Sequence, residues 1–477
     1  MSDSQHSSAI QLVKCILSKG DGTDPFPIGR DMIISFIVHE SIMSPFMGAT
    51  ITLSDSKNLI GSYPITGGEI LEVELKHSYE DIPIIYKFSV YKIGGRIAKN
   101  KNQVYTLGLV SEEAIKNETT RVVEPLSGNP GGKNGVIDKL LKNTLNTTKD
   151  FYSEQSKFEM RLNPTRTRPF DIIGKLLGRH ASVKSDFTGF SEASTDGESA
   201  QEVKGSAGFF FWETRRGYNF FSIDALCDTG DKNGKFFTEQ LKTESWGPYV
   251  EKIANVETSG DQRFLIEGVV FNSEVDLMQS LRKGKYSSLM VFFNTSTGQY
   301  EEYQYKITNT YKNMPHLGNQ DRVSEVVLST EKNITQKYSR IMSMMIDHET
   351  WYNDPGIANP EDENAKDPTK FADWQKYYAA QGIARTSLLQ NQEATVKIPG
   401  NPLICAGDKV EINLQSKLPD VAKTETTYDE ESSGVYLVRE ATHTYNFLEG
   451  DNGTLKTTLR LFRDSYGMKG KPSNHGQ

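Results

Sequence analysis

The most informative stretch of the chain is Gly407-Asp408-Lys409-Val410-Glu411-Ile412-Asn413-Leu414, because an earlier stretch follows nearly the same pattern. The earlier stretch reads Gly68-Glu69-Ile70-Leu71-Glu72-Val73-Glu74-Leu75. Both begin with a glycine and an acidic residue and then alternate, with Glu72 and Glu411 at the same place. Such alternation is typical of a strand with one face on the core and one face in water.

The residues that follow each stretch also correspond. After the first stretch, residues 86–93 lead through a polar turn at 99–102 to residues 104–109. After the second, residues 435–439 lead through a turn at 451–453 to residues 455–461. A strand, an Asn-containing turn and a second strand predict an antiparallel hairpin in each place. We therefore expect one antiparallel β-domain to be used twice, once near each end of the chain.

The composition is that of a folded protein with several domains. A chain of 477 residues is too long for a single core, so about two to four domains are expected. The net charge of −8 lacks the basic surplus of a dedicated nucleic-acid-binding protein. Cys15, Cys227 and Cys405 lie far apart, which predicts buried thiols in a reducing compartment rather than disulfides.

The beginning of the chain and its apolar runs predict a soluble protein made in a cytoplasm. Residues 1–6 lack the basic and apolar blocks of a signal peptide. The most apolar run, residues 32–38, has the length of a strand and is too short to span a bilayer. No membrane insertion is expected.

Changes in composition and hydrophobic pattern along the chain predict the domain boundaries. We expect a polar tail at 1–7, a first β-domain at 8–115, a mixed α/β domain at 116–258, a second β-domain at 259–305 plus 386–466, an inserted, partly helical domain at 306–385, and a disordered tail at 467–477. The predicted fold class is α+β and multi-domain. Two similar antiparallel β-barrels or sandwiches flank the mixed domain, and the insertion splits the second of them.

Helices and one hairpin are predicted between the two β-domains. Apolar residues recur at helical spacing from Val136 to Leu145. A second helix has Thr167 as its cap and Pro169 in its first turn, and a third begins at Asp367-Pro368 and runs to about Gln390. An aromatic hairpin is expected at residues 209–213 and 218–223, with Gly217 near its turn. Without a basic surround, its rings are expected to pack in a core or subunit interface rather than to stack on bases.

No catalytic, cofactor-binding or metal site is predicted. The histidines lack a second ligand at helical or hairpin spacing; among them are His39, His77, His180, His348 and His443. Gly131-Gly132-Lys133-Asn134-Gly135 has the composition of a phosphate loop, but it lacks the Gly-Lys-Ser/Thr ending and a preceding buried strand. We interpret it as a plain loop. The chain has no Gly-x-Ser-x-Gly nucleophile elbow.

Two charged patterns have a functional and a structural interpretation. The pairs Glu112-Glu113 and Glu301-Glu302 would suit glycoside cleavage only in a shared cleft, and adjacent acids more often form a solvated surface. The basic residues Arg161, Arg166 and Arg168 could touch an acidic partner, but a solvated approach to a helix is favoured. We therefore expect a protein that is not an enzyme.

Several stretches together resemble a known family. Residues 44–69, with Asp55-Ser56-Lys57-Asn58-Leu59 followed by Gly68-Glu69-Ile70, resemble the first β-domain of the central baseplate hub protein of contractile-tailed, T-even-like bacteriophages. The helix at Phe170 and the aromatic hairpin resemble that family's second domain. The order Gln390, Thr395, Gly400-Asn401-Pro402 and Gly407-Asp408 resembles its last domain and related spike hubs of secretion systems. This chain departs from the family in its longer acidic loops at 354–367 and 418–433.

The resemblance implies a structural role in a virion, in the tail baseplate, after assembly in the host bacterial cytoplasm. Hub proteins of this family form homotrimers, in which two tail-tube-like β-domains per chain make a pseudo-sixfold ring. The implied partners are further copies of the chain, the trimeric central spike, and the tail tube or tube-initiator proteins. Baseplate wedge and tape-measure proteins are further expected contacts. The resemblance implies no cofactor, and DNA would pass through the channel without specific binding.

Two other functions stay open at this point. A tail-associated cell-wall hydrolase would need convergent acids or a metal site in an extra domain, for which only the insertion at 307–382 has room. A receptor- or carbohydrate-binding tail protein would carry exposed aromatic residues on loop tips. Here the aromatic residues lie mainly in predicted strands and helices.

Overall fold

Alternating apolar residues produce β-structure along most of this chain. In the computed structural model the protein is mostly β-sheet, with 47% strand and 20% helix, in several domains. The structure describes residues 8–78, 82–99, 102–157, 159–178, 180–183, 206–228, 243–251, 262–273, 275–294, 298, 300–320, 323, 334–346, 368–417, 428–448 and 453–468. The predicted tails at 1–7 and 467–477 therefore lie wholly or almost wholly outside the described residues, as do the acidic loop at 354–367 and residues 418–427 of the second acidic loop.

The strands are numbered in chain order. They are β1 Ala9–Ser18, β2 Phe26–Pro27, β3 Ile33–Ser41, β4 Gly48–Asp55, β5 Ile70–His77, β6 Ile84–Lys99, β7 Asn102–Val110, β8 Leu126–Gly128, β9 Phe151–Ser153, β10 Met160–Leu162, β11 Phe209–Thr214, β12 Gly217–Ser222, β13 Ser245–Glu251, β14 Leu265–Ile266, β15 Gly268–Ser273, β16 Ser287–Asn294, β17 Tyr300–Lys306, β18 Arg340–Ile346, β19 Gln392–Pro399, β20 Lys409–Asn413, β21 Gly434–Asn446 and β22 Gly453–Arg463.

The helices within the described ranges are short, with one exception. They are α1 Leu59–Ser62, α2 Glu112–Thr119, α3 Val136–Lys139, α4 Pro169–Leu176, α5 Ile223–Cys227, α6 Leu277–Lys283 and α7 Pro368–Leu389. A turn of π-helix, Leu140–Thr144, continues α3. Among the described residues, no helix is both long and apolar enough to cross a membrane.

Eight strands of the large sheet pair in a closed cycle that forms the first β-domain. The cycle runs β3–β4–β7–β6–β5–β1–β22–β21 and returns to β3. Two of these strands, β21 and β22, come from the C-terminal end of the chain. Their side chains Tyr445 and Leu455 lie in the same core as Phe36 and Leu107.

The second β-domain uses the same hairpin, β21–β22. Its strands pair in the order β13–β20–β21–β22–β19–β15, and β14, which precedes β15, pairs back with β13. Val396, Ile412 and Leu459 lie in its core. One half of β21 pairs with β20 and the other half with β3. The hairpin therefore belongs to both β-domains and joins them.

The mixed domain is built on the aromatic hairpin, as predicted. β11 pairs with β12 across a two-residue turn in which Thr214 lies opposite Gly217, and β9 adds in parallel. The rings of Phe209 and Phe220 stack at 4.6 Å between centroids. They pack against α3 and α4 in one core, so the prediction of core packing is confirmed.

The structure draws the predicted domain boundaries differently in two places. The strands Ser287–Asn294 and Tyr300–Lys306, which we assigned to the second β-domain, pair with Arg340–Ile346 in a separate sheet. The strand Ser245–Glu251, which we assigned to the mixed domain, belongs to the second β-domain. Alternation of side chains predicts a strand, but it does not say which sheet the strand joins.

The predicted helix cap at Thr167 was wrong. Thr167 forms an isolated bridge with Val122, and Arg168 is the residue that precedes the helix. Because a proline follows, Arg168 is held in extended backbone, with φ −68° and ψ 147°. The N–H of Phe170 donates instead to Oδ1 of Asn117, at 2.9 Å. The third predicted helix is confirmed as Pro368–Leu389.

Candidate functional site

The two β-domains have the same strand order. Numbered by their order in the chain, the strands of each domain lie in the spatial order first, fourth, fifth, sixth, third, second. In the first domain this order is β1–β5–β6–β7–β4–β3, and in the second it is β13–β20–β21–β22–β19–β15. The first strands differ in direction, since β1 is antiparallel to β5 and β13 is parallel to β20. The other five strands correspond in order and in direction.

The correspondence reaches individual hydrogen bonds. In the first domain the N–H of Gly68 donates to the carbonyl of Val90 at 2.7 Å, and the N–H of Val90 donates to the carbonyl of Glu69 at 2.8 Å. The backbone of Gly68 has φ +88°. The pairing of β6 with β7 then shifts by one residue between Val90 and Lys92.

The second domain repeats this arrangement. The N–H of Gly407 donates to the carbonyl of Val438, and the N–H of Val438 donates to the carbonyl of Asp408, both at 2.8 Å. Gly407 has φ +91°, and the shift of one residue lies between Val438 and Glu440. The glycine-acid stretches, with Glu72 and Glu411 at the same place, therefore form the same structural element twice.

The acidic residue of each stretch is buried and accepts several hydrogen bonds. Glu69 accepts from the N–H groups of Thr66 and Gly67, at 2.8 and 2.9 Å. Burial alone would raise the pKa of Glu69, but these backbone donors hold it below its usual value. Asp408 accepts from both terminal nitrogens of Arg216, at 2.7 and 3.0 Å, and from the indole N–H of Trp246 at 2.9 Å.

Another buried carboxylate, that of Glu40, joins three parts of the molecule. Glu40 lies on β3 of the first domain and accepts from the N–H of Arg215, in the turn of the aromatic hairpin, at 3.0 Å. It also accepts from the N–H of Ala406, just before β20, at 3.1 Å. Burial raises the pKa of Glu40 to about 7. With Asp408 and Arg216, this residue forms a polar joint between the two β-domains and the mixed domain.

The buried carboxylate of Asp464 connects the long helix α7 to the end of β22. Asp464 accepts from Nη1 of Arg385 at 2.7 Å, and Nδ1 of His316 lies 2.8 Å from it. Both Arg385 and Asp464 are wholly buried. Burial opposes the charged form of Asp464, but its interactions with His316 and Arg385 and the hydrogen bond from the N–H of Leu317 hold its pKa well below its usual range. Arg385 also lies 3.5 Å from Asp224 on α5, so this cluster anchors the insertion to the rest of the fold.

One lysine bridges two acids beside the first domain. Nζ of Lys149 lies 2.6 Å from Glu113 and 2.6 Å from Glu213. Glu213 also accepts from the N–H of Met47, which directly precedes β4, at 2.9 Å. Glu113 was one of the paired acids considered for glycoside cleavage. Its role here is to hold the mixed domain against the first β-domain.

The histidines named from the sequence are not brought together. His39 contacts Thr442, His180 contacts Ser156, and His443 contacts Thr457 and the carbonyl of Ile404. His77 is buried at the end of β5, and His348 lies outside the described residues. Within the part of the chain that the structure describes, no three His, Cys, Asp or Glu side chains could hold a metal ion. The three cysteines are buried free thiols, as predicted.

The glycine-rich loop at 131–135 uses its backbone donors inside the protein. The N–H of Gly131 donates to Oδ1 of Asn129, and that of Gly132 donates to Oγ of Ser153. A Cβ on Gly131 would lie 1.9 Å from the carbonyl oxygen of Glu154. The glycines therefore permit close packing. The loop borders an open cavity of about 490 Å³, and the structure supports its interpretation as a plain loop.

Of the remaining charged patterns, Arg166, Arg168 and Glu302 have described side chains. Arg168 pairs with Glu118 and Asp171, and Arg166 is exposed. The strand with Glu301 and Glu302 pairs with β16, and the Glu302 side chain is exposed. Sequence reasoning missed the roles of Arg216 and Arg385, although a charged residue within a buried apolar run was a usable signal for Arg385.

Comparisons with known proteins give similarity only at the level of solved structures. No family model matches the chain, and no curated protein is similar to it in sequence. A tail protein from Neisseria meningitidis MC58 is 10% identical, with a TM-score of 0.47 over 94% of this chain and 96% of that one. A 43 kDa tail protein of prophage MuSo2 from Shewanella oneidensis is 9% identical, with a TM-score of 0.46 over 95% and 99%.

A third similar structure comes from a secretion system. It is an Escherichia coli component of the type VI secretion system that is described as structurally similar to bacteriophage T4 tail proteins. The identity is 7% and the TM-score 0.41, over 98% of this chain and 80% of that one. With TM-scores below 0.5, these similarities do not by themselves assign this chain to a family.

Proposed function

We propose that this protein is a structural baseplate hub of a contractile phage tail. In this proposal three chains form a ring in which six similar β-domains alternate, two from each chain. The ring presents approximate sixfold symmetry to the tail tube and true threefold symmetry to a trimeric central spike. A duplicated domain allows one sequence to match both symmetries.

The observation that carries the proposal is the duplication in register. Gly68 and Gly407 share a backbone conformation, and the same pair of hydrogen bonds and the same bulge follow each of them. Two domains of one strand order, joined through a shared hairpin, are what an approximately sixfold ring of three chains requires. The polar joint at Glu40 and Asp408 supports this role because it locks the mutual orientation of the two domains.

The charge of the chain agrees with a channel for DNA. With 62 acidic and 54 basic residues, the protein has no surplus of basic residues that would bind phosphates tightly. A channel lined with cationic side chains would bind the phosphate backbone of DNA and slow the passage of the DNA. We infer that DNA passes through the ring without specific binding. A gel-shift assay at low salt should therefore show no stable complex with duplex DNA.

The proposal is tested by counting the chains in the particle. Sedimentation equilibrium, on the purified protein alone and mixed with its candidate spike, should give three chains per particle in at least the mixture. Six chains, or a monomer under both conditions, would refute the trimer. A zymogram on bacterial cell wall provides the matching control for the hydrolase alternative, and no cleared band is expected.

A further inference from the structure

The shared hairpin shows how one β-domain of this chain contacts another. Beyond its bulge at Arg439, β21 leaves β20 and pairs antiparallel with β3 of the first domain. This pairing runs from Glu440 opposite Ser41 to Asn446 opposite Ser35. It is a contact between two copies of the same fold, made by the outer half of a hairpin strand on the edge of a neighbouring sheet.

The first domain has the corresponding hairpin strand without the corresponding contact. Its β6 pairs with β5 from Ile84 to Ser89 and, beyond the bulge at Tyr91, with β7 alone among the described strands. The outer half of β6, residues 92–99, therefore presents one unpaired edge within the described structure. Its Ile97 side chain is 68% exposed.

The second domain has the corresponding receptor strand. In the first domain Ile37 of β3 lies opposite Thr50 of β4, and in the second Val270 of β15 lies opposite Thr395 of β19. Thr50 and Thr395 occupy corresponding places in β4 and β19, so Ile37 corresponds to Val270 and β15 is the counterpart of β3. Among the strands that the structure describes, β15 pairs only with β19, and the Val270 side chain is 61% exposed.

Burial on β15 shows what the missing contact would cover. Its inward residues Val269 and Phe271 correspond to Phe36 and Val38 of β3. Phe36 and Val38 are wholly buried beneath the shared hairpin, whereas Val269 and Phe271 are only partly buried. The core of the second domain is thus less covered at the place where the first domain is closed by a hairpin.

We propose that the outer half of β6 in one chain pairs antiparallel with β15 of the next chain, repeating between chains the contact that β21 makes with β3 within a chain. The contact is heterologous, because it joins two different surfaces, and successive copies can close a ring. This inference rests on the proposed ring, since each chain needs a neighbour on both sides.

The internal contact also gives the register of the proposed one. In the internal contact, Thr444 of β21 lies opposite Ile37 of β3. Thr444 also pairs with Lys456 of β22, and Ile97 of β6 pairs in the same way with Val104 of β7. Ile97 therefore corresponds to Thr444. Ile97 of one chain would therefore lie opposite Val270 of the next. Two exposed apolar side chains would become cross-strand neighbours, which is a stabilising arrangement.

The sequence of β15 suits strand addition. Gly268-Val269-Val270-Phe271-Asn272-Ser273 contains no charged residue and no proline. Open edges of this kind pair readily with another strand, and proteins that must avoid such pairing place charges or proline there. A second copy of this chain is the occupant that the internal contact predicts.

Disulfide trapping tests the register. One chain carries Ile97→Cys and a second carries Val270→Cys, and the assembled mixture is mildly oxidised. Directly opposite residues on antiparallel strands are close enough for a disulfide. We expect cross-linked dimers at a yield at least tenfold above that of Ile97→Cys mixed with Asn272→Cys, which lies two residues away on the same strand. Ile37→Cys with Thr444→Cys in one chain is the positive control, because these residues lie opposite each other.

Charge substitution tests the contact without engineered cysteines. Val270→Lys changes an exposed side chain, so the chain should still fold, and its near-ultraviolet circular dichroism should be unchanged. We expect this variant to lose association in sedimentation equilibrium. Val123→Lys alters a similarly exposed residue of the mixed domain and should associate like the unmodified protein.

The outcomes separate this inference from the proposed function. A trimer in which Ile97→Cys and Val270→Cys cross-link no better than the displaced pair overturns the strand pairing and leaves the trimer. Cross-linking in a particle with another number of chains supports the pairing and overturns the trimer. A monomer that does not cross-link overturns both.

Discussion

Asp408 is the residue on which the joint between the domains depends most directly. Its carboxylate is wholly buried and accepts from both terminal nitrogens of Arg216 and from Trp246. Asp408→Asn would take away the buried bidentate partner of the largely buried Arg216 guanidinium and leave only the exposed Glu244 at 3.7 Å, at a cost of roughly 3–5 kcal/mol. We expect a corresponding loss in the free energy of unfolding, measured by denaturant titration.

The exposed pair Lys14–Glu72 is the matched control for this change. Its atoms lie 2.6 Å apart, but both side chains are more than a third exposed. Glu72→Gln should therefore cost much less than Asp408→Asn, because water screens the exposed pair. Equal losses for Asp408→Asn and Glu72→Gln would contradict the role of the buried joint.

His443 makes the stability of the shared hairpin depend on pH. Its Nε2 donates to the carbonyl of Ile404 at 3.0 Å, so Nδ1 accepts from the hydroxyl of Thr457 at 3.2 Å. Burial lowers the pKa of His443 to about 4, from 6.5. As the pH falls from 6.5 to 4, the unfolded state takes up the proton first and stability is lost, by up to about 3 kcal/mol.

His443→Gln removes this titration while keeping a donor for Ile404. The thermal midpoint of the unmodified protein should fall more between pH 7 and pH 4.5 than that of the variant. Glu40 acts in the opposite direction, since its raised pKa of about 7 favours the folded state at low pH and that contribution is lost as the pH rises through 7. The comparison of variant with unmodified protein isolates His443, and parallel pH profiles would show that its pKa is not lowered.

At the scale of elements, the duplication offers a pair of glycines with one conformation and two environments. Gly68 has φ +88° and no atom within 4 Å of the position of a Cβ. Gly407 has φ +91°, but a Cβ there would lie 2.6 Å from Cζ2 of Trp212. Alanine at either position meets the same backbone strain, of about 1–2 kcal/mol.

Gly407→Ala should destabilise the protein more than Gly68→Ala because it must also displace the Trp212 ring. Overpacking of this kind adds roughly 1–3 kcal/mol. Denaturant titration of the two variants measures the difference, and tryptophan fluorescence should change in Gly407→Ala alone. Equal destabilisation would mean that the second turn can move away from Trp212.

The sequence predicted most elements because their signals are local. The alternation in Gly68–Leu75 and Gly407–Leu414, the proline before Phe170 and the aromatic hairpin each depend on neighbouring residues. The closure of the first domain by β21 and β22 had no such signal, since Tyr445 pairs with Phe36 across about four hundred residues. The polar joint likewise had no local signal. Asp408 lies in the alternating stretch Gly407–Leu414, but its partner Arg216 is distant in the sequence and was not predicted.

At the scale of the whole molecule, the shared hairpin makes the two β-domains one folding unit. Six of the eight strands in the first cycle lie before residue 111, and the other two are β21 and β22. Tyr445, Phe447 and Leu455 of the hairpin region are buried in the core of the first domain. Burial of large apolar side chains contributes roughly 1.5–3 kcal/mol each, which is a large fraction of the stability of a typical domain.

Residues 8–115 expressed alone should therefore lack a stable tertiary fold. Without the hairpin, β3 and β1 have unpaired edges and the core is open on one side. We expect weak near-ultraviolet circular dichroism and no cooperative thermal transition. Co-expression with a peptide of residues 434–463 should restore both, because it supplies the two missing strands. The same peptide with Tyr445→Asp is the control and should restore neither, since a buried charge replaces a ring that stacks on Phe36 at 5.8 Å. A cooperative transition in the isolated segment would show that the hairpin only joins the two domains and is not required to complete the first.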